Sequence, residues 1–464
     1  MKNKIIKIIL IFAFVAVCFA SLAACDRNGG KVDDGIVVTF VTGFENSDTP
    51  LVIAPVVTTH AKPGVMPNDP IRAGYRFLGW YYDKDYSKPF SKEDQKNIKT
   101  DITLYAKWEK RRSNSDFNEP DGEVDAPNGV RYRVNEDKTL SIIGYNGKAE
   151  ELTLAVSYEG KKITAIAFGA FSGNSTLKSI TVSDAISLVE DGAFFNCQSL
   201  ERIDVSADNE KYFSAGGALY CAGGTKLVAV GQARKTKFSA VNPLSDVAGY
   251  AFSGGTYEVE LKSSALKALS EYSFAYYKGK VVIGKNVKQI RRRAFYESTA
   301  EVGFSDDCSI DKLAMGEFDG YKGSKLVIPS TVKSISGSPF FGSTAEIDFT
   351  ATGINELGES AFAGYEGKTL IIPYFVKTIG RNAFYRCSSK IGFDERTTYS
   401  YVDEYVFNDF RGEVTLPATV TSVKKYAFYS MRYGNVAFTL PKKEIAIDND
   451  AFLLCKTEKV TYGK

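Results

Sequence analysis

Residues 368–384 read KTLIIPYFVKTIGRNAF, and this stretch is one unit of a repeat that fills most of the chain. The unit ends on Phe384, and an equivalent phenylalanine recurs every 21 to 24 residues along the sequence. The twelve phenylalanines, which we name the anchors, are Phe171, Phe194, Phe252, Phe274, Phe295, Phe318, Phe340, Phe362, Phe384, Phe407, Phe428 and Phe452. The one long interval, 58 residues from Phe194 to Phe252, corresponds to two repeats and an insertion of 14 residues. So regular a period indicates a stacked repeat protein.

The apolar residues of each unit fall into fixed columns ahead of the anchor. In the unit of Phe384 the column residues are Leu370, Ile372, Val376, Ile379 and Ala383, and other units place apolar residues at the same offsets. The first two alternate as in a β-strand, whereas the others are spaced as on a tight bend. Because a single coil cannot bury its own apolar side, we expect the coils to stack into a mainly β solenoid of about twelve coils.

A second period is visible three residues after the anchors. That position holds Tyr277, Tyr321 and Tyr365, and in each of these units a glycine follows two residues later. In the intervening units the same position holds Ser298, Ser343 or Cys387. The sequence therefore predicts two chemically different coil types that alternate along the array.

The repeat resembles the BspA-like leucine-rich repeat of bacterial surface proteins. The resemblance is clear in AFFNCQSLERIDV from Ala193 and in the unit from Lys368, and it covers residues 129–464 with VRYRVNEDKTLSIIGYNG as an N-terminal cap. It implies a leucine-rich-repeat solenoid that binds macromolecules and has no catalytic apparatus. The insertion, near residues 208–243, contains YFSAGGALYCAGGTKLVAVG from Tyr212 and resembles a hairpin found between such repeats.

Both tryptophans lie in a smaller segment, residues 36–109, whose aromatic residues alternate along strand-like runs. This segment resembles the internalin B-repeat, also called the Listeria–Bacteroides repeat. The matching residues are Pro70, Gly74-Tyr75, Phe77, Gly79-Trp80-Tyr81, Asp101 to Ala106 and Trp108. The resemblance implies a small β-grasp-like module that serves as a spacer or an adhesion unit. Residues 110–128 mix charges with Pro, Ser and Asn, which is typical of a linker.

The first 24 residues have the composition of a secretory signal peptide, with three lysines, an apolar run and then small residues. Leu22-Ala23-Ala24-Cys25 resembles the bacterial lipobox, which implies that Cys25 is acylated and becomes the first residue of the mature chain. The other interpretation is an ordinary cleavage site with a chance cysteine. Residues 25–35 are polar and glycine-rich, as in a flexible tether. We therefore expect an extracytoplasmic protein that Cys25 anchors to the bacterial membrane, at the cell surface.

Composition disfavours several classes of function. The formal net charge of +3 is carried by Lys2, Lys4 and Lys7, so the chain without its signal is neutral, which argues against nucleic-acid binding. The chain has one histidine, His60, and no CxxC pair, so histidine-based catalysis and multi-histidine or cysteine metal sites are disfavoured. The run Gly223-Gly224-Thr225-Lys226 lacks the spacing of a phosphate loop and indicates a hairpin turn. We expect no enzyme activity, cofactor or metal.

The strand alternation predicts which residues face outward and could meet a ligand. If Leu326 and Ile328 are buried, Val327 points out, and by the same offset so do Val282, Ile371 and Thr415. These four are the candidate ligand-binding residues, although the β-propensity of Val and Ile also explains them without a ligand. We expect a lipoprotein that binds a host or cell-surface protein or glycan. The alternative is an envelope scaffold or spacer without a dedicated ligand.

The tripeptide Arg291-Arg292-Arg293 is the one arginine run in the array. It lies on the bend that precedes an anchor, where we expect a solvated face more than a phosphate or glycan site. Three of the cysteines, Cys197, Cys387 and Cys455, lie three residues after an anchor, where we expect a small buried packing position.

Overall fold

A computed structural model of the chain describes residues 36–41, 56–58, 75–110, 122–241, 243–261, 265–431, 437–440, 445–455 and 460–462. The chain divides into two compact units, Met1–Ser113 and Asn114–Lys464. The predicted signal peptide, Cys25, the tether, His60 and the linker residues 111–121 lie outside the described residues.

The first unit contains a four-stranded sheet and one short helix. In chain order the elements are β1 (Ile36–Val41), β2 (Val56–Thr58), β3 (Tyr75–Tyr81), α1 (Lys92–Lys96) and β4 (Ile102–Lys110). The strand order is β2-β1-β4-β3, with β1 parallel to β4 and the other pairs antiparallel. Ser91 and Asp94 form a capping box that satisfies backbone N–H groups at the start of α1.

A β-bulge aligns the aromatic core of this unit. Phe77 lies opposite Trp108 and Gly79 opposite Lys107, so Leu78 is an extra residue in β3. The extra residue lets Phe77 and Trp80 meet on the same side of the sheet although they are three positions apart, with their ring centroids 5.3 Å from each other. Gly79 has a φ of 125°, which a residue with a side chain rarely adopts.

The second unit begins with an antiparallel cap made of β5 (Glu123–Asp125), β6 (Val130–Val134) and β7 (Leu140–Tyr145). β5 lies within the stretch 110–128 that the composition indicates as a linker, so the folded cap begins earlier than residue 129. Val124 is fully buried opposite Tyr132. A three-residue strand that contains two acidic residues and follows a glycine has too little periodicity to be distinguished from a linker.

A coil of the solenoid has a first strand, a second strand and an anchor turn, and the described second strands number thirteen, one for each coil. The coil of Phe252 has only an isolated bridge, from Phe238 to Val259, in place of its first strand, and β36 is a first strand that follows the last of these coils. The first strands are β8 (Glu151–Thr153), β11 (Ser179–Val182), β13 (Arg202–Val205), β18 (Val259–Glu260), β20 (Lys280–Ile283), β22 (Glu301–Phe304), β24 (Lys325–Val327), β26 (Glu346–Asp348), β28 (Thr369–Ile372), β30 (Lys390–Phe393), β32 (Glu413–Thr415), β34 (Ala437–Leu440) and β36 (Val460–Tyr462). The second strands are β10 (Lys161–Ile166), β12 (Leu188–Val189), β16 (Lys226–Val230), β17 (Asp246–Val247), β19 (Ala268–Leu269), β21 (Gln289–Ile290), β23 (Lys312–Leu313), β25 (Ser334–Ile335), β27 (Glu356–Leu357), β29 (Thr378–Ile379), β31 (Tyr401–Val402), β33 (Ser422–Val423) and β35 (Ala446–Ile447). Three further strands are β9 (Ser157–Tyr158), β14 (Tyr212–Ala215) and β15 (Ala218–Cys221).

The anchors form a ladder of stacked rings through the core, as the periodicity predicts. From Phe252 to Phe452, rings of consecutive anchors lie 4.6 to 6.2 Å apart and within 27° of parallel. Phe171 and Phe194 stack in the same way at 5.5 Å. The backbone supports the stack, because anchor N–H groups donate to the carbonyl just before the next anchor, as from Phe362 to Ala383 at 2.7 Å.

The insertion explains why the coils number thirteen and not the expected twelve. β16 pairs in parallel with β17, and the Val230 N–H donates to the Ala251 carbonyl as an anchor would. Val230 therefore stands at the anchor position of a coil that has no phenylalanine there. The 58-residue interval is one coil of 22 residues and one enlarged by the β14–β15 hairpin, in agreement with two repeats and an insertion.

Candidate interaction surfaces

The outward residues of the first strands lie where the alternation predicts. Val327 and Ile371 expose 49% and 52% of their surface, whereas the preceding residues, Leu326 and Leu370, are fully buried. Thr415 is exposed and Val282 is half-buried. We name this outward side of the first strands the first-strand face. Its placement is confirmed, and its binding of a ligand stays a prediction.

The first-strand face alternates large and small residues from coil to coil. Val282 lies opposite Gly303, Val327 opposite Asp348, and Ile371 opposite Gly392. A Cβ on Gly392 would lie 3.0 Å from the Ile371 Cδ1 atom, so the isoleucine leans over the glycine of the next coil. The apolar ridges thus partly fill the gaps beside them.

Ion pairs between coils border these ridges. Lys280 Nζ lies 2.6 Å from a Glu301 carboxylate oxygen, and Lys325 Nζ lies 2.9 Å from Glu346 and 3.0 Å from Asp348. These side chains are largely exposed, so each pair contributes little stability. Opposite charges in register do, however, disfavour a shifted stacking of the coils.

A second surface, absent from the predicted sites, lies on the anchor turns. Six aromatic residues pack there and form what we name the aromatic cluster: Phe168, Phe195, Tyr250, Tyr272, Tyr276 and Tyr296. The rings of Tyr250 and Tyr272 stack at 5.0 Å and 8°, and Phe195 meets Tyr250 edge-on at 5.0 Å. Burial in this cluster raises the pKa of the Tyr250 and Tyr276 hydroxyls, so both stay neutral even at a pH that would ionise an exposed tyrosine.

One residue of the arginine run, Arg293, contacts the aromatic cluster. Arg293 lies 3.0 Å from an Asp319 carboxylate oxygen and donates to the Tyr272 hydroxyl at 2.9 Å. The side chains of Arg293 and Asp319 are only 14% and 11% exposed, so the expectation of a solvated face is wrong for Arg293, although Arg291 is exposed. A tyrosine two residues before several anchors, as in Tyr250 and Tyr272, is the sequence signal that could have located this surface.

The five described cysteines, Cys197, Cys221, Cys308, Cys387 and Cys455, are free thiols. Cys197 and Cys387 are fully buried after their anchors, and Cys455 is partly buried, in agreement with a packing position. Burial raises the pKa of the Cys197 thiol to about 12 and that of Cys387 to about 11, which suppresses the reactive thiolate.

Helices in the described part of the chain are all too short or too polar to cross a membrane. In the same residues, acidic, histidine and cysteine side chains do not gather in groups of three that could hold a metal ion.

Two protein families are similar to parts of this chain. The BspA type Leucine rich repeat region matches residues 148–220, 232–316, 311–430 and 410–464, and the Listeria-Bacteroides repeat domain matches residues 37–107. None of the curated proteins matches the chain.

Several solved structures of bacterial repeat proteins are similar to this chain. A leucine rich cell surface protein from Faecalibacterium prausnitzii is 15% identical, with a TM-score of 0.32, over 73% of this chain and 94% of its own. A leucine-rich repeat protein from Bacteroides ovatus is 17% identical, with a TM-score of 0.33, over 73% and 99%. A leucine rich repeat protein of T. pallidum is 16% identical, with a TM-score of 0.23, over 52% and 87%. Because the repeat family matches well over half of the sequence, the chain belongs to the BspA-type leucine-rich repeat family, with a Listeria–Bacteroides repeat domain before its repeat array.

Proposed function

We propose that this protein is a non-enzymatic, lipid-anchored protein of the bacterial surface that binds a protein or glycan ligand through its first-strand face. The observation that carries the proposal is the row of half-exposed aliphatic side chains, Val327 and Ile371 above all, on a face otherwise rich in ion pairs. Apolar residues that recur in line, with a charged border, have the composition of an interaction surface. Membership in a family of surface repeat proteins agrees with this role.

A scaffold or spacer role is the alternative, and one observation favours it. Ile371 leans over Gly392, which means that part of the apolar ridge serves packing between coils and not a partner. A rod that only spaces other modules needs such internal packing and no exposed binding residues. The two roles differ in one measurable consequence, which is whether any ligand depends on the ridge.

The decisive experiment is a glycan array and a host-protein pull-down with the chain from Asp26 onward. The same screens are repeated with the triple variant Val282→Ser, Val327→Ser and Ile371→Ser. We expect the triple variant to lose the ligand that the unchanged chain binds, with a nearly unchanged melting temperature, because all three residues point outward. A variant with Leu188, Met315 and Leu453 changed to Ser is the matched control. These residues are similarly exposed but lie outside the first strands.

Retained binding by the triple variant would place the ligand elsewhere, and the absence of any specific ligand in both screens would favour the spacer role. Deletion of the hairpin is a poor test of its own contribution to binding. Removing residues 212–230 would also remove Val230, which occupies an anchor position, and would therefore disturb the core.

The membrane anchor is tested at Cys25. The lipobox-like sequence before it supports acylation, and an acyl chain contributes about 0.8 kcal/mol of membrane affinity per buried CH₂ group. We expect Cys25→Ser to move the protein from the membrane fraction to the soluble fraction or to leave it unprocessed. Cys18→Ser, in the apolar part of the signal, is the control and should leave fractionation unchanged. Equal membrane fractions for both variants would contradict lipid anchoring.

A further inference from the structure

Charged residues alternate in sign along one column of the first-strand face. The column consists of the first residue of each consecutive first strand from β20 to β32, and we name it the charge column. In chain order its members are Lys280, Glu301, Lys325, Glu346, Thr369, Lys390 and Glu413. All are exposed. Each precedes the outward residue of its strand by two positions, so it points to the same side of the sheet.

Thr369 interrupts the alternation, and the signs are inverted beyond it. Strict alternation after Glu346 would require a lysine at position 369 and a glutamate at position 390, but the chain has Thr369 and Lys390. Opposite charges on neighbouring strands stabilise the stacking of coils, so stacking within one chain favours unbroken alternation and does not explain the interruption. The column consequently carries opposite signs at equal distances from Thr369.

A column of this kind is complementary to a second copy of itself. If a twofold axis runs parallel to β28 between two facing copies, the order of the coils is reversed and the strand direction is kept. Glu346, one coil before Thr369, then faces Lys390 of the second copy, and Lys325 faces Glu413, with each contact formed twice. Thr369 faces its own counterpart, where any charged residue would meet a like charge. The one neutral member of the charge column therefore lies at the position that must be neutral.

The apolar column beside it fits the same axis. Ile371 belongs to β28 and is 52% exposed, so it would face Ile371 of the second copy at the centre of the contact. Val327, two coils before, would face Thr415, two coils after, and Asp348 would face Gly392. Large residues thus meet small ones. A central apolar contact with a charged border has the composition of a protein–protein interface.

We propose that the first-strand face around Thr369 binds a second copy of this protein, with the two repeat arrays running in opposite directions. This rests on the proposed function of that face and makes its partner a protein and not a glycan. The paired columns span about 20 Å, which is less than a standard interface, so we expect a dissociation constant between about 10 μM and about 1 mM. Copies anchored through their N-termini to facing cells would meet in this orientation, and many weak contacts between two surfaces reinforce one another.

The experiment is sedimentation equilibrium of the chain from Asp26 onward over this concentration range. We expect a monomer–dimer equilibrium that weakens as the salt concentration rises, because salt screens exposed charges. Glu346→Lys and Lys390→Glu each place like charges opposite one another at two symmetric contacts, so each variant alone should self-associate at least about tenfold more weakly. An equal mixture of the two variants should associate again, since one copy then carries lysine and the other glutamate at both contacting positions.

Two further tests separate this contact from a general effect of charge. Lys226→Glu and Asp246→Lys reverse an ion pair of similar exposure on the second strands, and each of these control variants should self-associate like the unchanged protein. Thr369→Lys should abolish self-association, because two lysines would meet at the axis. Its melting temperature should stay nearly unchanged, since Thr369 is exposed.

Three outcomes would overturn the proposal: a monomer at every concentration, a monomeric mixture of Glu346→Lys and Lys390→Glu, or full self-association by Thr369→Lys. The proposed function would survive these outcomes if the glycan array or the host-protein pull-down returns a ligand that the triple variant loses. A monomeric protein that also finds no ligand in either screen would overturn both proposals.

Discussion

At the residue scale, the buried ion pair of Arg293 and Asp319 shows how desolvation and pairing compete. Burial raises the pKa of the Asp319 carboxyl to about 6, although Arg293 lowers it through charge and hydrogen bonding. Burial therefore outweighs the single salt bridge at this position, in keeping with the high cost of moving a carboxylate out of water. Arg293 also bonds Tyr272, which ties this pair to the aromatic cluster.

The raised pKa predicts a pH dependence of stability. Between about pH 4 and pH 6 the folded protein holds a proton on Asp319 that the unfolded chain has released, so the contribution of this residue to stability falls as pH rises through that range. We expect Asp319→Asn, which cannot titrate, to lack this component. Its free energy of unfolding should rise relative to that of the unchanged protein as the pH increases through this range.

The measurement is urea unfolding of both proteins at several pH values between about 4 and 7. It is followed by far-UV circular dichroism rather than by fluorescence, because both tryptophans lie in the first unit. Asp394→Asn is the control, since hydrogen bonds from Arg396 lower the pKa of that carboxyl to about 2, so its titration lies below the measured range and the difference from the unchanged protein should stay nearly constant. A constant difference between the Asp319 variant and the unchanged protein across this range would contradict the prediction.

At the element scale, the two coil types are explained by one shared buried position. The Tyr321 hydroxyl donates to the Ala300 carbonyl at 2.5 Å, and the Tyr365 hydroxyl to the Ala345 carbonyl at 2.6 Å. In the intervening coils the smaller Ser298 and Ser343 donate instead to the Tyr277 and Tyr321 carbonyls, at 2.7 and 2.8 Å. A large and a small residue thus alternate through the core, which keeps its volume filled.

Steric crowding by each of these tyrosines requires the glycine that follows it two residues later. A Cβ on Gly367 would overlap the hydroxyl and ring of Tyr365, and Gly323 stands in the same relation to Tyr321. We expect Gly367→Ala to destabilise the protein by about 1–3 kcal/mol, the usual cost of overpacking a filled core. Gly303→Ala is the control, because its nearest neighbour would be 3.8 Å away. Equal melting temperatures for the two variants would refute this explanation.

The sequence predicts those features of the fold that repeat. The anchors, the inward columns, the outward positions Val327 and Ile371, and the alternation of tyrosine with serine recur many times, so a single sequence contains its own internal comparison. Features that occur once lack that support. Val230 differs in residue type from every other anchor, and β5 is only three residues long, so neither can be recognised from periodicity.

The aromatic cluster is less predictable than the fold for a related reason. Tyr250 and Tyr272 share the column two residues before their anchors, but Phe168 and Phe195 stand at other offsets, so that column locates only part of the cluster. The insertion places Phe195 and Tyr250 55 residues apart in the sequence. Only one coil lies between them in the array, so the two side chains still meet. Proximity across an insertion depends on the path of the chain in space, which local patterns do not specify.

At the scale of the whole molecule, the insertion divides the solenoid core into two. The residues of β15 and β16 divide between two clusters: Leu219, Val228 and Ala229 pack with the N-terminal core, and Ala218, Tyr220, Leu227 and Val230 pack with the C-terminal core. The inserted strands are therefore buried on both sides. In a repeat array each coil contacts only its neighbours, so a boundary of this kind limits how far a local loss of packing extends.

This division predicts that damage to one core stays on its side of the insertion. We expect Phe171→Ala to cost about 3–5 kcal/mol and to lower amide protection in the cap and first coils, because it removes a fully buried ring from the N-terminal ladder. Phe362→Ala should have the same cost and lower protection in the coils around it. Phe341→Ala is the control for ring removal alone, since Phe341 is 38% exposed and outside the ladder.

Native-state hydrogen exchange read by mass spectrometry checks this, because peptides from β10 to β13 and from β24 to β30 report the two cores separately. With Phe171→Ala we expect faster exchange in the first set and unchanged exchange in the second, and the reverse with Phe362→Ala. If either variant accelerates exchange equally in both sets, the array unfolds as one cooperative unit. The inserted strands would then couple the two cores, since a sheet buried on both sides can transmit a loss of packing as well as confine it.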